Sequence, residues 1–451
     1  MVSSIKNLPV KSVCASAIIL LIGFQQFPII KAGGSFKIYE VLAIVILLVD
    51  LIKIREVKLA GFTSLAAFGF FVVSPIISYV WANVGLSYPN GFYLKYSEVA
   101  DSFKFNYNVF PFLLLIYMVF NFCAFNEISK SNFISKNFEK LLKTSVYIGT
   151  GIAIYSILTM FTVDLVAKLP SFIQAKHEYN FRSAGLSQEP SFYVLYQTWI
   201  CLILYYTKKK FKSKVWYFLM AVNVLSLIFT FSSMLLSLAA IIFFNVFFLK
   251  SSVKAKIVSI ASLLLAILAI VAIIDYYNYY DAFMYTFGAK VYSFISSPAY
   301  TTDSGSFRSY TTGIGFKIFK DNWFAGVGVG NSIYYMYIHE FTMGIEIFGE
   351  RLFPGSFPQN LFAMVLSEQG VIGAMALLAL IVSAFKMFWK ARYRNAYGLL
   401  FLNGLLFNIG AMLTIAPTYS MFIWVFIAFG INYTRKNSGI VLSDKSLETV
   451  A

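Results

Sequence analysis

One pattern recurs along this sequence: apolar runs of about 20 residues, long enough to cross a bilayer as helices, separated by short basic stretches. Runs such as "IVSIASLLLAILAIVAII" are apolar on every face. That excludes a membrane β-barrel, whose strands alternate apolar and polar positions over about 10 residues. The spans are therefore expected to be helices. With 59% hydrophobic and only 12% charged residues, the chain of 451 residues reads as an all-α polytopic membrane protein, one integral-membrane domain from end to end.

Hydropathy, with basic loops as punctuation, places spans near residues 12 to 30, 37 to 53, 59 to 83, 108 to 125, 145 to 164 and 190 to 207. A second half follows near 215 to 231, 233 to 249, 257 to 275, 361 to 384, 396 to 414 and 417 to 434, which makes twelve. Every second loop is basic: Lys53, Arg55 and Lys58; Lys130, Lys136, Lys140 and Lys143; Lys208 to Lys214; Lys250, Lys254 and Lys256; Lys390, Arg392 and Arg394. Short loops rich in Lys and Arg stay cytoplasmic, so both termini are expected inside, including the tail 437–451. The net charge of +16 is then a topology signal with a mild attraction to anionic membrane lipids. No inside loop is long enough for a soluble nucleic-acid-binding fold, so no nucleic-acid partner is read from it. The basic start and apolar run at the N-terminus are expected to stay as an uncleaved first helix. Removing them would leave the first loop without its inside start. Cys14, Cys123 and Cys201 lie in or at the ends of spans, far apart, and imply packing rather than a disulfide framework or a metal cluster.

Three outward loops remain, about 84–107, 165–189 and 276–360. The last is too long to be a mere connection and is expected to contain short helices. Its start is crowded with tyrosines, Tyr276, Tyr277, Tyr279, Tyr280, Tyr285 and Tyr292. These read either as an interfacial aromatic belt or as a platform for sugar rings.

Arg182, Arg308 and Arg351 are the arginines on the outer side. A guanidinium grips phosphate oxygens with two parallel hydrogen bonds and cannot lose its charge, which suits Arg182 and Arg308 to a diphosphate; each could instead pair with a nearby acid. Glu189 precedes Pro190 and either caps the next helix or takes a proton from an attacking hydroxyl. His177 and His339 are the only histidines, and no acidic cluster at ligand spacing accompanies them, so no metal is expected. His339 is the better candidate for a base. "GVGVGN", from Gly326 to Asn331, lacks the strand–turn–helix context of a dinucleotide fingerprint, and its glycines read as a tight turn next to the membrane. Glu368 lies within an expected span, facing a cavity or partner, or solvated near the outer end of its helix. Nothing resembles ATPase machinery or a Ser-His-Asp triad, and no cofactor is expected.

The order of these features resembles the O-antigen polymerase and O-antigen ligase superfamily. The matching elements are "R-x-x-G-x-x-x-E-P" from Arg182 to Pro190, an arginine ahead of "W-F-A-G-V-G-V-G-N", and "Q-N-L-F-A-M-V-L-S-E-Q-G-V-I-G" opening the next span. The resemblance covers roughly residues 180 to 385. It implies a GT-C-like membrane glycosyltransferase in the bacterial inner membrane, using undecaprenyl-diphosphate-linked oligosaccharide at the periplasmic face without nucleotide sugar or metal. A chain-length regulator protein is a further implied partner. By the resemblance Arg182 and Arg308 match paired arginines that hold the diphosphate; Gln359, Asn360 and Glu368 in the third motif, and Tyr292 as a platform for sugar rings, are the candidate substrate-binding residues. Ligases of this superfamily carry His-Asn where this chain has Gln359-Asn360, and glutamine takes up no proton at neutral pH. The resemblance therefore points to the polymerase, with Glu189, His339 and Glu368 as candidate bases in that order. The alternatives are a ligase acting on lipid A core and a transporter of lipid-linked oligosaccharide.

Overall fold

In a computed structural model of the chain, the residues described are 10–24, 28–31, 35–52, 59, 61–85, 109–161, 183–187, 190–230, 304–333, 335–336, 357–415 and 421–437, with isolated positions between 232 and 272. The expected spans 233–249 and 257–275 fall largely outside them. Each of the other expected spans carries a described helix.

Helix α1 is Val10–Leu21, followed by a hairpin of β1 (Pro28–Lys31) and antiparallel β2 (Ser35–Lys37), which leads straight into α2, Ile38–Ile52. The first span was expected to run helical to residue 30, and here the structure corrects it. The helix gives way at Leu21 to a turn in which Phe24 N donates to Leu21 O at 2.9 Å, and β1 begins at Pro28. Next come α3 (Phe62–Phe68) and α4 (Ser74–Gly85), joined by one π turn, Gly69–Val73. The Ser74 N–H reaches back to Gly69 O, a widening that accommodates the ring of Pro75. Helices α5 (Val109–Lys130), α6 (Asn132–Lys136), α7 (Phe138–Phe161), α8 (Pro190–Tyr206) and α9 (Ser213–Ile228) follow. The last four are α10 (Ser304–Asp321), α11 (Leu361–Ala391), α12 (Ala396–Met412) and α13 (Met421–Asn437).

Among the described residues four stretches are long and apolar enough to cross a membrane: Phe62–Val84, Pro111–Lys130, Phe138–Thr159 and Leu361–Ala391. Val10–Leu21, Ser213–Ile228 and Ala396–Met412 are shorter apolar helices. The outward faces carry exposed Phe62, Leu65, Val80, Leu113, Leu158, Phe218, Met375 and Leu378. An apolar exterior of this extent needs lipid, not water, around it. The protein is a helical membrane protein.

Helix α13 sits at the centre, buried on every face from Met421 to Asn432. Its Trp424 rests on Phe70 and Phe71, and its Phe426 presses on α12 at Gly404, where a Cβ would collide with the ring. Small residues admit such close approach between membrane helices.

Polar ties define the two ends of the bundle. At one, Lys11 Nζ donates to Asp50 Oδ1 (2.6 Å), Ser12 Oγ to Glu127 Oε1 (2.9 Å) and Ser135 Oγ to Asn432 Oδ1 (2.6 Å). Lys210 Nζ and Tyr397 Oη both reach Glu139 Oε1 there, at 2.8 and 3.4 Å. Lys130, Lys136, Lys208 to Lys210, Lys390, Arg392 and Arg394 lie at the helix ends that these bonds join, so this is the basic end. The far end holds the starts of α8 and α11 and the ends of α9 and α12. Apart from α10, the described long helices thus alternate in direction between the two ends.

Candidate active site at the far end

The end of α12 leaves backbone carbonyls without helical partners and carries the negative end of the helix dipole. Arg308, on α10, donates from Nη1 to Thr414 O at 3.0 Å. Asn360 donates from Nδ2 to the neighbouring Leu413 O at 2.9 Å. The Oδ1 of the same Asn360 accepts from the N–H groups of Phe362 (2.9 Å) and Ala363 (3.1 Å), capping α11. Thr311, one turn beyond Arg308, closes the group: its hydroxyl donates to Arg308 O at 3.1 Å and accepts from Gln359 N at 3.3 Å. Arg308 and the adjacent pair Gln359–Asn360, far from it in sequence, therefore meet at the C-terminal end of α12. Part of that chemistry is spent on architecture, since Asn360 uses both ends of its amide to join α11 to α12.

Below this group α11 is broken. Gly370 has φ 62° and ψ −157°, a conformation essentially reserved for glycine. The interrupted backbone is taken up by the turn after α10. Val327 N donates to Ser367 O (2.9 Å), Gly328 N to Glu368 O (2.9 Å) and Val371 N to Trp323 O (2.9 Å). Ser78 Oγ also donates to Glu368 O, and Ser74 Oγ lies 2.6 Å from Gln369 Oε1. The turn can follow the break so closely because Gly326, Gly328 and Gly330 all have positive φ. The "GVGVGN" glycines thus make the tight turn expected of them. Glu368 is fully buried here, and its Oε1 accepts from Ser332 Oγ at 2.6 Å. It lies inside the protein rather than solvated at a helix end.

The other arginine motif is described only from Ser183 to Ser187. That stretch is held by three helices. Ser183 N donates to Phe229 O (2.8 Å), just past α9, and Gly185 N to Ser156 Oγ of α7 (2.9 Å). Ser183 Oγ bonds Ser156 Oγ, and Tyr193 Oη of α8 lies 2.5 Å from Ser226 Oγ of α9. Gly185 has φ 58°, and a Cβ on it would collide with the Tyr193 ring. Pro190 is the first residue of α8, as expected.

Comparison with known proteins adds no relative to this geometry. No family model and no curated protein matches the chain. What the site can do is therefore read from its residues. Arg182, Glu189, Tyr292 and His339 lie outside the described residues. Of the remaining candidates, Arg308, Gln359 and Asn360 share one cluster, and Glu368 lies at the break, two turns further along α11. Among the described residues no group of His, Cys, Asp and Glu could hold a metal ion. Thr311, Ser332 and the Ser156–Ser183–Ser226–Tyr193 knot escaped the sequence reading. Isolated hydroxyls in apolar runs carry no spacing signal, although Ser332 does follow the glycine turn directly.

Proposed function

We propose that the protein is a polysaccharide polymerase of the O-antigen or related capsular type. A growing glycan on undecaprenyl diphosphate would be transferred to a hydroxyl at the non-reducing end of a new lipid-linked repeat unit. The bond between the reducing-end anomeric carbon and the diphosphate oxygen breaks, and undecaprenyl diphosphate leaves with the electron pair. The acceptor oxygen forms the new glycosidic bond and its proton passes to a base. Arg182 and Arg308 bind the diphosphate and neutralise charge that grows as the bond breaks, a stabilisation greatest in the transition state. Neither metal nor nucleotide takes part. In this reading the chain spans the bacterial inner membrane twelve times in a GT-C-like arrangement, with both termini cytoplasmic and the far end periplasmic.

One observation carries the reading. The segments of the second and third motifs converge at the end of the bundle opposite the basic loops, where Arg308 and Asn360 bond adjacent carbonyls, Thr414 O and Leu413 O. Of the three candidate bases, Glu368 is the least suited, being sealed inside the protein against Ser332. That favours Glu189 and His339. Arg182→Ala and Arg308→Ala, expressed at native levels, should each abolish long polymer ladders; full-length ladders from both would refute the assignment. A ligase reading is disfavoured by Gln359, and phenotype separates the two. Loss of a polymerase leaves single repeat units on the core, whereas loss of a ligase leaves none.

The break in α11 favours one reading of another class, since transporters place interrupted helices around their substrates. Purified protein in detergent, where no compartments exist, decides between them: joining of lipid-linked repeats excludes pure transport.

A further inference from the structure

Helix α11 is too long for the place it occupies. At its C-terminal end it lies against the start of α12, where a Cβ on Gly398 would strike the Ala391 carbonyl. At its N-terminal end Asn360 is bonded to Leu413 O. Along α12 those two ties are about 22 Å apart, so with side-chain reach included Ala391 and Asn360 are separated by no more than about 38 Å. A straight helix between them would measure about 46 Å. The excess is removed at Gly370, with about 31 Å of helix on one side and about 15 Å on the other; closing to about 38 Å takes a turn of roughly 75° or more. Val371–Ala391 is by itself long enough to cross a bilayer. The segment Leu361–Gln369 must then lie across the bundle axis.

Helix α10 follows the same course. Its Thr311 meets Gln359, its Gly315 lies against Pro358 and Ala363, and Trp323, just after it, meets Val371. Contacts in this order make α10 run alongside Leu361–Gln369 in the same direction. It too lies across the axis. One face of α10, Thr311, Ile314, Gly315 and Ile318, is buried. The opposite face exposes Phe316 (46%), Lys317 and Lys320, and continues into Trp323 (60%) and Phe324 (44%). Phe324 packs edge-on to Trp81 at 5.5 Å, and Trp81 stands near the far end of the span Phe62–Val84 beside exposed Val80 and Val84. The exposed rings of α10 are thus continuous with the lipid-facing surface that Val80, Trp81 and Val84 form in the far half of that span. Apolar rings with lysines beside them on a helix lying across the membrane normal are the pattern of an interfacial helix.

We propose that α10 and the Trp323–Phe324 turn lie in the headgroup layer at the far end, covered by phospholipid. Phe316, Trp323 and Phe324 dip toward the acyl chains beside Trp81, and Lys317 and Lys320 meet lipid phosphates. The long loop expected to stand in the periplasm is, over α10, a membrane-bound shelf. For the proposed activity this sets Arg308, on the same helix, in the layer where a lipid-borne diphosphate lies. The inference itself rests on the geometry of α11 and holds whatever the reaction.

The test is a nitroxide scan in full-length protein whose native cysteines are replaced by alanine, reconstituted in vesicles of phosphatidylethanolamine and phosphatidylglycerol. Single cysteines replace Ser309, Gly313, Phe316, Lys317, Lys320 and Trp323, all exposed positions, with Leu378→Cys on α11 as the deep reference. Collision with oxygen reports lipid and collision with a water-soluble nickel chelate reports solvent. Accessibility that oscillates with the helical period about headgroup depth supports the shelf. Uniformly high nickel access along α10 would overturn it, and so would a steady ramp of depth from Ser309 to Trp323, the mark of an upright helix. Variants that reconstitute but lose polymer formation still report depth, so failure of the polymerase reading leaves this measurement intact.

Discussion

Replacing Gly370 by alanine tests the break in α11 directly. The residue holds φ 62° and ψ −157°, where an L side chain costs about 1–3 kcal/mol. A Cβ there would land on the carbonyl of Phe324, which is backbone and cannot rotate away. The turn after α10 must therefore back off, loosening the bonds from Val327 N, Gly328 N and Val371 N, each worth about 0.5–1.5 kcal/mol net. Together these give a local destabilisation of about 2.5–7.5 kcal/mol. The readout is maleimide labelling of Val329→Cys, a position buried in the turn, in protein without other cysteines. Where labelling waits on local opening, 3 kcal/mol raises its rate about a hundredfold, at 1.4 kcal/mol per factor of ten. Gly370→Ala should thus speed labelling of the Val329→Cys thiol by about fiftyfold or more while the span Val371–Ala391 stays inserted. If the rate is unchanged, the turn does not close the break, and the depth argument built on the bend fails with it.

Glu368→Gln keeps an acceptor for Ser332 Oγ and should leave polymer formation within about threefold of native, whereas Glu368→Ala, which orphans that hydroxyl, should lower the unfolding midpoint in detergent by the equivalent of about 1–3 kcal/mol. Loss of activity in a stably folded Gln variant would make Glu368 the proton acceptor instead. Gly185→Ala, driving a methyl into the Tyr193 ring from a left-handed backbone, should destabilise by about 2 kcal/mol or more, and Tyr193→Phe, which gives up the contact with Ser226, by about 1 kcal/mol. Both are read from thermal unfolding followed by size-exclusion fluorescence. Glu139→Gln at the basic end breaks an exposed pair with Lys210 and should change stability by less than about 1 kcal/mol; a larger loss would mean that the pair organises the basic end.

The helices were legible because hydrocarbon imposes a length and a composition on whatever crosses it. Pro190 opening α8 and the glycine turn from Gly326 to Gly330 were legible too, since each residue type restricts the backbone by itself. The early end of α1 was missed. Hydropathy counts "FPII" as membrane and carries no signal for the turn after Leu21 or for the hairpin that follows. The bend in α11 was hidden for a related reason: hydropathy averages the Ser367-Glu368-Gln369-Gly370 interruption into the apolar runs on either side, and only the ties at Asn360 and Gly398 show that the helix exceeds the room available. At the candidate site, Arg308 and Asn360 were found because their chemistry is distinctive. Their shared attachment to the end of α12 was not, because it depends on which helix ends are neighbours, and sequence spacing is silent on that.

The break also bears on the choice between enzyme and transporter. Interrupted helices serve transport by presenting unpaired backbone groups to a substrate or ion near the middle of the bilayer. Here the interruption is closed by the protein itself: Ser367 O and Glu368 O accept from the turn after α10, and Val371 N donates back to it. It lies beside Ser74 and Ser78, in the half of the span Phe62–Val84 that leads to the far end, and the turn at Phe324 reaches Trp81. A break placed there turns a helix into the headgroup layer and lays α10, with its arginine, along that layer. Such a device suits chemistry on a substrate that never leaves one leaflet. If oligosaccharide were carried across, the closure at Gly370 would have to open in each cycle, and a Val329→Cys thiol, with Gly370 kept, would label rapidly during turnover. Slow labelling that persists while polymer accumulates is the outcome expected of an enzyme.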